Sequence, residues 1–153
     1  KKLQLIMNTT VDMNENKLES FREFHVLEKH RMESYKDWPF PADSACSINK
    51  MAEAGFYWTG NAREPDTVTC FVCGKTLDGW ESEDDPWKEH LRHAPQCEYA
   101  KLGCKEKDLT VGQFLKIFTN VVNKKIEMNV KKFKANFTKK NEAKLDEFVK
   151  LHY

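Results

Sequence analysis

The chain has 153 residues, 40% of them hydrophobic and 32% charged, which suits one small domain with an extension better than two full cores. No apolar run approaches the ~18 residues of a membrane span, so no membrane partner is expected. Overall charge is +1, yet residues 1–110 carry 15 basic and 20 acidic side chains while residues 111–153 carry 10 and 4. Such asymmetry predicts two surfaces with opposite charge preferences.

Leu3 to Met7, behind Lys1-Lys2, is too short for a secretory core. Five cysteines, an odd set, point to a reducing compartment rather than a disulfide framework. The sequons Asn8-Thr9-Thr10 and Asn136-Phe137-Thr138 are then expected to stay bare.

In chain order, residues 1–20 read as a polar, Asn-rich tail. From Leu18 to Tyr35 a helical period appears through Phe21, Phe24, Leu27, Met32 and Tyr35, and Trp38-Pro39-Phe40-Pro41 ends it. Ser47 is placed to cap a helix over Ile48 to Ala54, with Gly55 as its stop. Short strands follow at Phe56 to Thr59, Thr67 to Phe71 and Lys75 to Leu77. Asp85-Pro86 starts another helix, carrying Trp87, His90, Leu91 and His93, and Pro95 stops it. A domain over residues 21–104, a linker over 105–110 and a long helix over 111–153 complete the layout.

Cys70, Cys73, His90 and Cys97 are spaced Cys-x2-Cys-x16-His-x6-Cys. Three thiolates and an imidazole are the donor set of a closed, tetrahedral structural zinc site. With four protein ligands no position is left for water or substrate, so one zinc with a folding role is expected, and no catalysis. A domain this small gains from such a site, since structural zinc supplies roughly 10–16 kcal/mol of apparent binding energy. Cys46 and Cys104 are left over and read as small buried hydrophobes.

Asp78, Glu81, Glu83, Asp84 and Asp85 place five carboxylates within eight residues. They flank Trp80 and a candidate edge strand, Lys75 to Leu77. An acidic loop of this kind is ordinarily just solvated; beside an edge strand it can hold the N-terminal ammonium of an added peptide strand, with Leu77 and Trp80 as floor for a small first side chain.

Thr110-x-x-Gln113 is a capping box. Behind it apolar residues recur at Val111, Phe114, Phe118, Val122, Ile126, Val130, Phe133, Phe137, Leu145 and Phe148, about 3.7 apart, close to the straight-helix period. Such a helix reaches roughly 60 Å. Standing clear of its own domain it needs partner helices, because each large apolar side chain is worth roughly 1.5–3 kcal/mol on burial. Its lysines, Lys116, Lys124, Lys125, Lys131, Lys132, Lys134, Lys139 and Lys140, read as a solubilising face.

Arg31-Met-Glu-Ser-Tyr-Lys-Asp-Trp-Pro39, Met51-Ala-Glu-Ala-Gly-Phe-Tyr-Trp-Thr-Gly60, Cys70-Phe-Val-Cys73, Leu77, Trp80, Asp84-Asp-Pro86 and Glu89-His90 resemble the baculoviral inhibitor-of-apoptosis repeat over about residues 25–104. The resemblance implies an α+β fold: short helices around a three-stranded antiparallel sheet, followed here by one long helix. A single repeat followed by a helix, with no second cysteine cluster for a RING, resembles the chromosomal passenger members of that family. Their pattern implies a ligand, a histone tail beginning Ala-Arg-Thr-Lys and phosphorylated on its threonine. Asp78 and Asp84 would hold the alanine ammonium, and Lys75 and His93 would face the phosphate. Position 78 is Asp where that pattern has Glu. The resemblance also implies a helical bundle with inner centromere protein and borealin, Aurora kinase as an indirect partner, and a nuclear, centromeric and later midzone location. For a homodimer, Val111 and Phe114 are available, but the linker 102–107 is charged where an aromatic is expected.

The main rival is a binding module for caspases or Ala-initiated proapoptotic peptides, using the same groove. A ubiquitin ligase lacks its RING, a zinc hydrolase lacks an open metal position, and a DNA-binding finger conflicts with the acidic balance of the first 110 residues.

Overall fold

The structure, a computed structural model, describes residues 22–152. The expected tail over residues 1–20 lies outside them. The elements are α1 (Glu28–Ser34), α2 (Ile48–Glu53), β1 (Phe56–Trp58), β2 (Val68–Cys70), β3 (Thr76–Leu77), α3 (Pro86–His93), α4 (Glu98–Leu102), a 3-10 turn (Glu106–Asp108) and α5 (Val111–His152). Helices around a small sheet, then one long helix, is the expected α+β class. No helix among the described residues is long and apolar enough to cross a membrane.

The helix expected from Leu18 to Tyr35 is interrupted within the described residues, and its first four residues, 18–21, lie outside them. His25 sits at φ 50, in the left-handed region, and Leu27 is extended, so α1 begins only at Glu28. Arg31 supplies the reason. Its side chain is fully buried and takes the carbonyls of His25 and Val26 at 3.0 and 2.6 Å, and that of Ala52 at 2.8 Å. A continuous helix would have consumed the first two acceptors. The guanidinium also lies 4.4 Å from the centre of the Phe71 ring and 3.4 Å from Glu106 Oε2.

The sheet is antiparallel in the order β1-β2-β3, with Phe56 opposite Cys70 and Val68 opposite Leu77. Period-two alternation puts Phe56, Val68, Cys70 and Leu77 into the core. The other face carries a ladder of hydroxyls, with Thr59 and Thr76 each 3.0 Å from Thr69. β3 is left at the edge. Ser47 stands at the start of α2 as expected, although its hydroxyl makes no capping bond. Gly55, at φ 91, is needed twice over, because a Cβ there would also lie 2.8 Å from the Tyr99 ring.

The capping box opens α5: Gln113 N–H donates to Thr110 Oγ1 at 3.2 Å and Thr110 N–H to Gln113 Oε1 at 2.8 Å. The helix does not stand clear of the domain from its start. Ile117 and Val121 are buried in the core, with Phe114 and Phe118 packed beside them. Lys124 Nζ donates to the carbonyls of Cys73 and Val72 at 2.5 and 3.4 Å, and Lys116 and Asn120 both reach Glu98. From residue 129 to 142 every described side chain is exposed. Apolar spacing along a helix does not reveal which stripe a neighbouring domain will cover, which is why the docked face escaped the sequence.

Candidate metal centre and peptide groove

Cys70 ends β2, Cys73 follows across the turn that Gly74 closes at φ 73, His90 lies on α3 and Cys97 sits at the N-cap of α4. Asp85 fixes the start of α3 by accepting the backbone N–H groups of Trp87 and Lys88 at 3.0 and 3.3 Å. The four ligand atoms all lie within 4.8 Å of one another. Cys70 Sγ is 4.0 Å from Cys97 Sγ, and Cys73 Sγ is 3.6 Å from His90 Nε2. Tetrahedral zinc with its usual bond lengths asks for ~3.8 Å and ~3.5 Å between such pairs. The donor set fits the metal.

The surroundings fit as well. His90 is fully buried, and its Nδ1 lies 2.8 Å from the Ala54 carbonyl. A proton on Nδ1 donates there and leaves the Nε2 lone pair for the metal. Backbone N–H groups of Val72 and Cys73 point at Cys70 Sγ, and that of Lys75 at Cys73 Sγ, at 3.4–3.5 Å. Hydrogen bonds from Cys70 and Cys97 hold the Cys73 thiol down, to about 3, while burial pushes Cys70 up.

A groove of about 270 Å³ opens beside β3, lined by Leu77, Asp78, Gly79, Trp80, Glu81, Asp84, Glu89, Arg92 and His93. Its apolar floor is Leu77 and Trp80, both buried, with Trp80 edge-on to Phe56 at 5.6 Å. The Trp80 indole N–H is buried without a partner. Asp78, Glu81 and Asp84 bring carboxylates to it, and Asp84 also accepts the Glu81 backbone N–H at 2.9 Å. Asp66 shapes the loop from behind, taking the N–H groups of Gly79 and Trp80 at 2.7 and 3.0 Å.

The structure gathers Leu77, Asp78, Trp80, Asp84 and His93 at one groove. Lys75 is exposed, in the turn before β3, and is not among the lining residues. Glu89 and Arg92 line the groove and were not read as groove residues from the sequence. Their spacing with His93, three and four residues on one helix face, was the available signal. Glu106 was also missed: in a linker read only as charged, it meets buried Arg31 and accepts the backbone N–H of Glu28 at 2.5 Å.

The residues expected to meet partner helices separate into two groups. Phe114, Phe118 and Val122 are half-buried, whereas Val111, Ile126, Val130, Phe133 and Phe137 are exposed, Val111 by 76% and Phe133 by 70%. The side chains of Leu145 and Phe148 lie outside the described set. At 3.6 residues per turn, Leu115, Val122, Ile126, Val130, Phe133 and Phe137 share one stripe, opposite the docked Ile117 and Val121. Val111 and Phe114 also border a second cavity of about 600 Å³ with Glu28, Glu53, Lys105 and Glu106.

The family described as BIR, Inhibitor of Apoptosis domain, matches residues 31–101. Baculoviral IAP repeat-containing protein 5.2-A of Xenopus laevis is 39% identical over 122 residues, covering 76% of this chain and 78% of that protein. Baculoviral IAP repeat-containing protein 5 of Rattus norvegicus is 43% identical over 91 residues, covering 60% of this chain and 64% of its own length. Among solved structures, the DIAP1 BIR1 domain bound to a Grim peptide aligns with 49% of this chain and 71% of its own at a TM-score of 0.43 and 33% identity.

Proposed function

This chain belongs to the family of baculoviral IAP repeat-containing protein 5, and on that premise we propose that it is a non-enzymatic chromosomal passenger subunit whose groove reads a histone tail beginning Ala-Arg-phosphoThr-Lys. The observation that carries the reading is that one groove holds carboxylates, an arginine and a histidine over an apolar floor. Carboxylates of Asp78, Glu81, Asp84 and Glu89 line it together with Arg92 and His93, and Leu77 and Trp80 floor it. A peptide that begins with an ammonium and carries an anion two residues later matches that pattern, added as a strand along the β3 edge. Leu77 and Trp80 meet the alanine methyl, Asp78 and Asp84 hold the ammonium, and His93 faces the phosphate, with Lys75 reaching in from the turn.

Zinc would be held by Cys70, Cys73, His90 and Cys97, where it supplies folding energy. With β2, the turn, α3 and α4 tied at one point, the groove walls on β3 and α3 keep their spacing. The exposed stripe of α5 is the surface for inner centromere protein and borealin, through which Aurora kinase is brought to centromeres in mitosis and to the midzone later. Val111 and Phe114 are the surface left for a homodimer. A receptor for Ala-initiated proapoptotic peptides or caspases would use the same carboxylates but has no use for Arg92 and His93.

Titration with the Ala-Arg-Thr-Lys peptide, plain and phosphorylated, each with and without N-terminal acetylation, tests the reading. Acetylation removes the ammonium and should abolish binding of both. Phosphorylation should tighten it by about tenfold or more, the worth of one good charge-assisted hydrogen bond. Equal affinity for the plain and phosphorylated tails would reject the histone reading and leave the general Ala-terminus receptor.

A further inference from the structure

We propose that Glu89 is the groove's internal stand-in for a ligand's anion, and that Arg92, which it holds, is the residue that selects phosphate. This rests on the phosphopeptide reading above. Glu89 Oε2 accepts Arg92 Nε at 2.9 Å, takes a second donor from Arg92 Nη2, and lies 3.6 Å from His93 Nε2. One carboxylate oxygen therefore holds the Arg92 guanidinium and lies close to the His93 ring. The Glu89 side chain is 23% exposed, while Arg92 and His93 are 64% and 37% exposed, so Arg92 and His93 are more open to a ligand than the carboxylate that they flank.

The consequence is an exchange. A ligand carboxylate arriving at Arg92 must displace an equivalent carboxylate and gains little. An unmodified threonine brings no charge and displaces nothing. A phosphate carries about −1.5 to −2 and three strong acceptor oxygens, so it outcompetes Glu89 for Arg92 and reaches the His93 ring as well. Arginine suits the task because its planar fork gives two parallel bonds to such an anion. Glu89 thus sets a threshold that only a dianion passes, rejecting the wrong ligand as well as favouring the right one.

The test uses the full chain and Ala-Arg-X-Lys peptides in which X is Thr, phosphoThr or Glu, against wild type, Glu89→Gln, Arg92→Gln, Arg92→Lys and Lys75→Ala. Wild type should prefer the phosphopeptide and bind the Glu peptide no better than the Thr peptide. Arg92→Gln should cut the phosphate preference by about tenfold, and Arg92→Lys by less, since it keeps the charge and loses the fork. Glu89→Gln should raise the ratio of Glu-peptide to Thr-peptide affinity by about threefold or more, a change of preference that mere structural damage cannot produce. Lys75→Ala should cost less than Arg92→Gln. Zinc content and melting temperature equal to wild type tie each change to the groove. Full phosphate preference in both Arg92 variants, or a Glu peptide still at the Thr level in Glu89→Gln, overturns the inference while the histone reading stands. A wild type indifferent to phosphate rejects that reading and this inference together.

Discussion

The repeat and the long helix deal with apolar surface in opposite ways. The repeat closes on itself around Met51, Phe56, Val68 and Tyr99, with a buried arginine and four metal-type ligands inside the same small body. Among its described side chains, the helix buries Ile117 and Val121 in its first third and leaves Ile126, Val130, Phe133 and Phe137 in water. One chain therefore contains a closed core with polar chemistry inside it and an apolar helix stripe left exposed. A short sheet cannot bury enough surface to dispense with ion and metal contacts, whereas a helix can carry two stripes, one for its own domain and one for other chains.

Metal removal should break the comparison most severely. Chelation, Cys73→Ser or His90→Ala should unfold the repeat, since roughly 10–16 kcal/mol of apparent binding energy goes with the metal. Elemental analysis should find one zinc per folded chain, and soluble folded protein free of zinc would refute the assignment. Arg31→Ala comes next. It strands Glu106 and the carbonyls of Ala52 and Val26, and denaturant unfolding should show a loss of about 3–5 kcal/mol.

The two stripes of α5 can then be set against each other. Ile117→Ala should destabilise the repeat by about 2–4 kcal/mol through lost burial and a cavity. Phe133→Glu with Phe137→Glu should leave the melting of the isolated chain nearly unchanged and abolish association with partner helices in a pull-down. If the distal pair destabilised the monomer as much as Ile117→Ala, the division into a docked and a free stripe would be wrong. Lys124→Ala should have a smaller effect, seen as faster amide exchange in the Cys70–Cys73 turn, whose carbonyls it holds.

The smallest expected effect is a pH dependence. Burial lowers the His25 pKa below its ordinary 6.5, and its ring stacks on Tyr57 at 4.0 Å. A base with a depressed folded pKa favours the folded state above the unfolded value and withdraws that support as pH falls through the folded one. Stability should thus decline below about pH 6.5 by a part that His25→Asn removes, asparagine being tolerant of the left-handed backbone there. An identical pH profile for that variant would assign the decline to other groups.

The amino-acid sequence by itself determined the punctuation and the ligands. Asp85-Pro86, Gly55, Gly74 and Thr110-x-x-Gln113 act within a few residues, so local chemistry places them without help from the rest of the chain. Four metal-type ligands at a telling spacing, and an acidic loop beside a tryptophan, were legible for the same reason. Tertiary structure alone decided the rest. The break at His25 depends on where the Arg31 side chain ends, and the pairing of Arg31 with Glu106 joins residues 75 positions apart. The meeting of Glu89, Arg92 and His93 with the loop at Asp84 exists only once α3 has packed against the sheet. Which stripe of α5 docks was likewise invisible, because both are apolar at helical spacing and only the shape and hydrogen-bonding needs of the zinc-type turn, met by Lys124, choose between them.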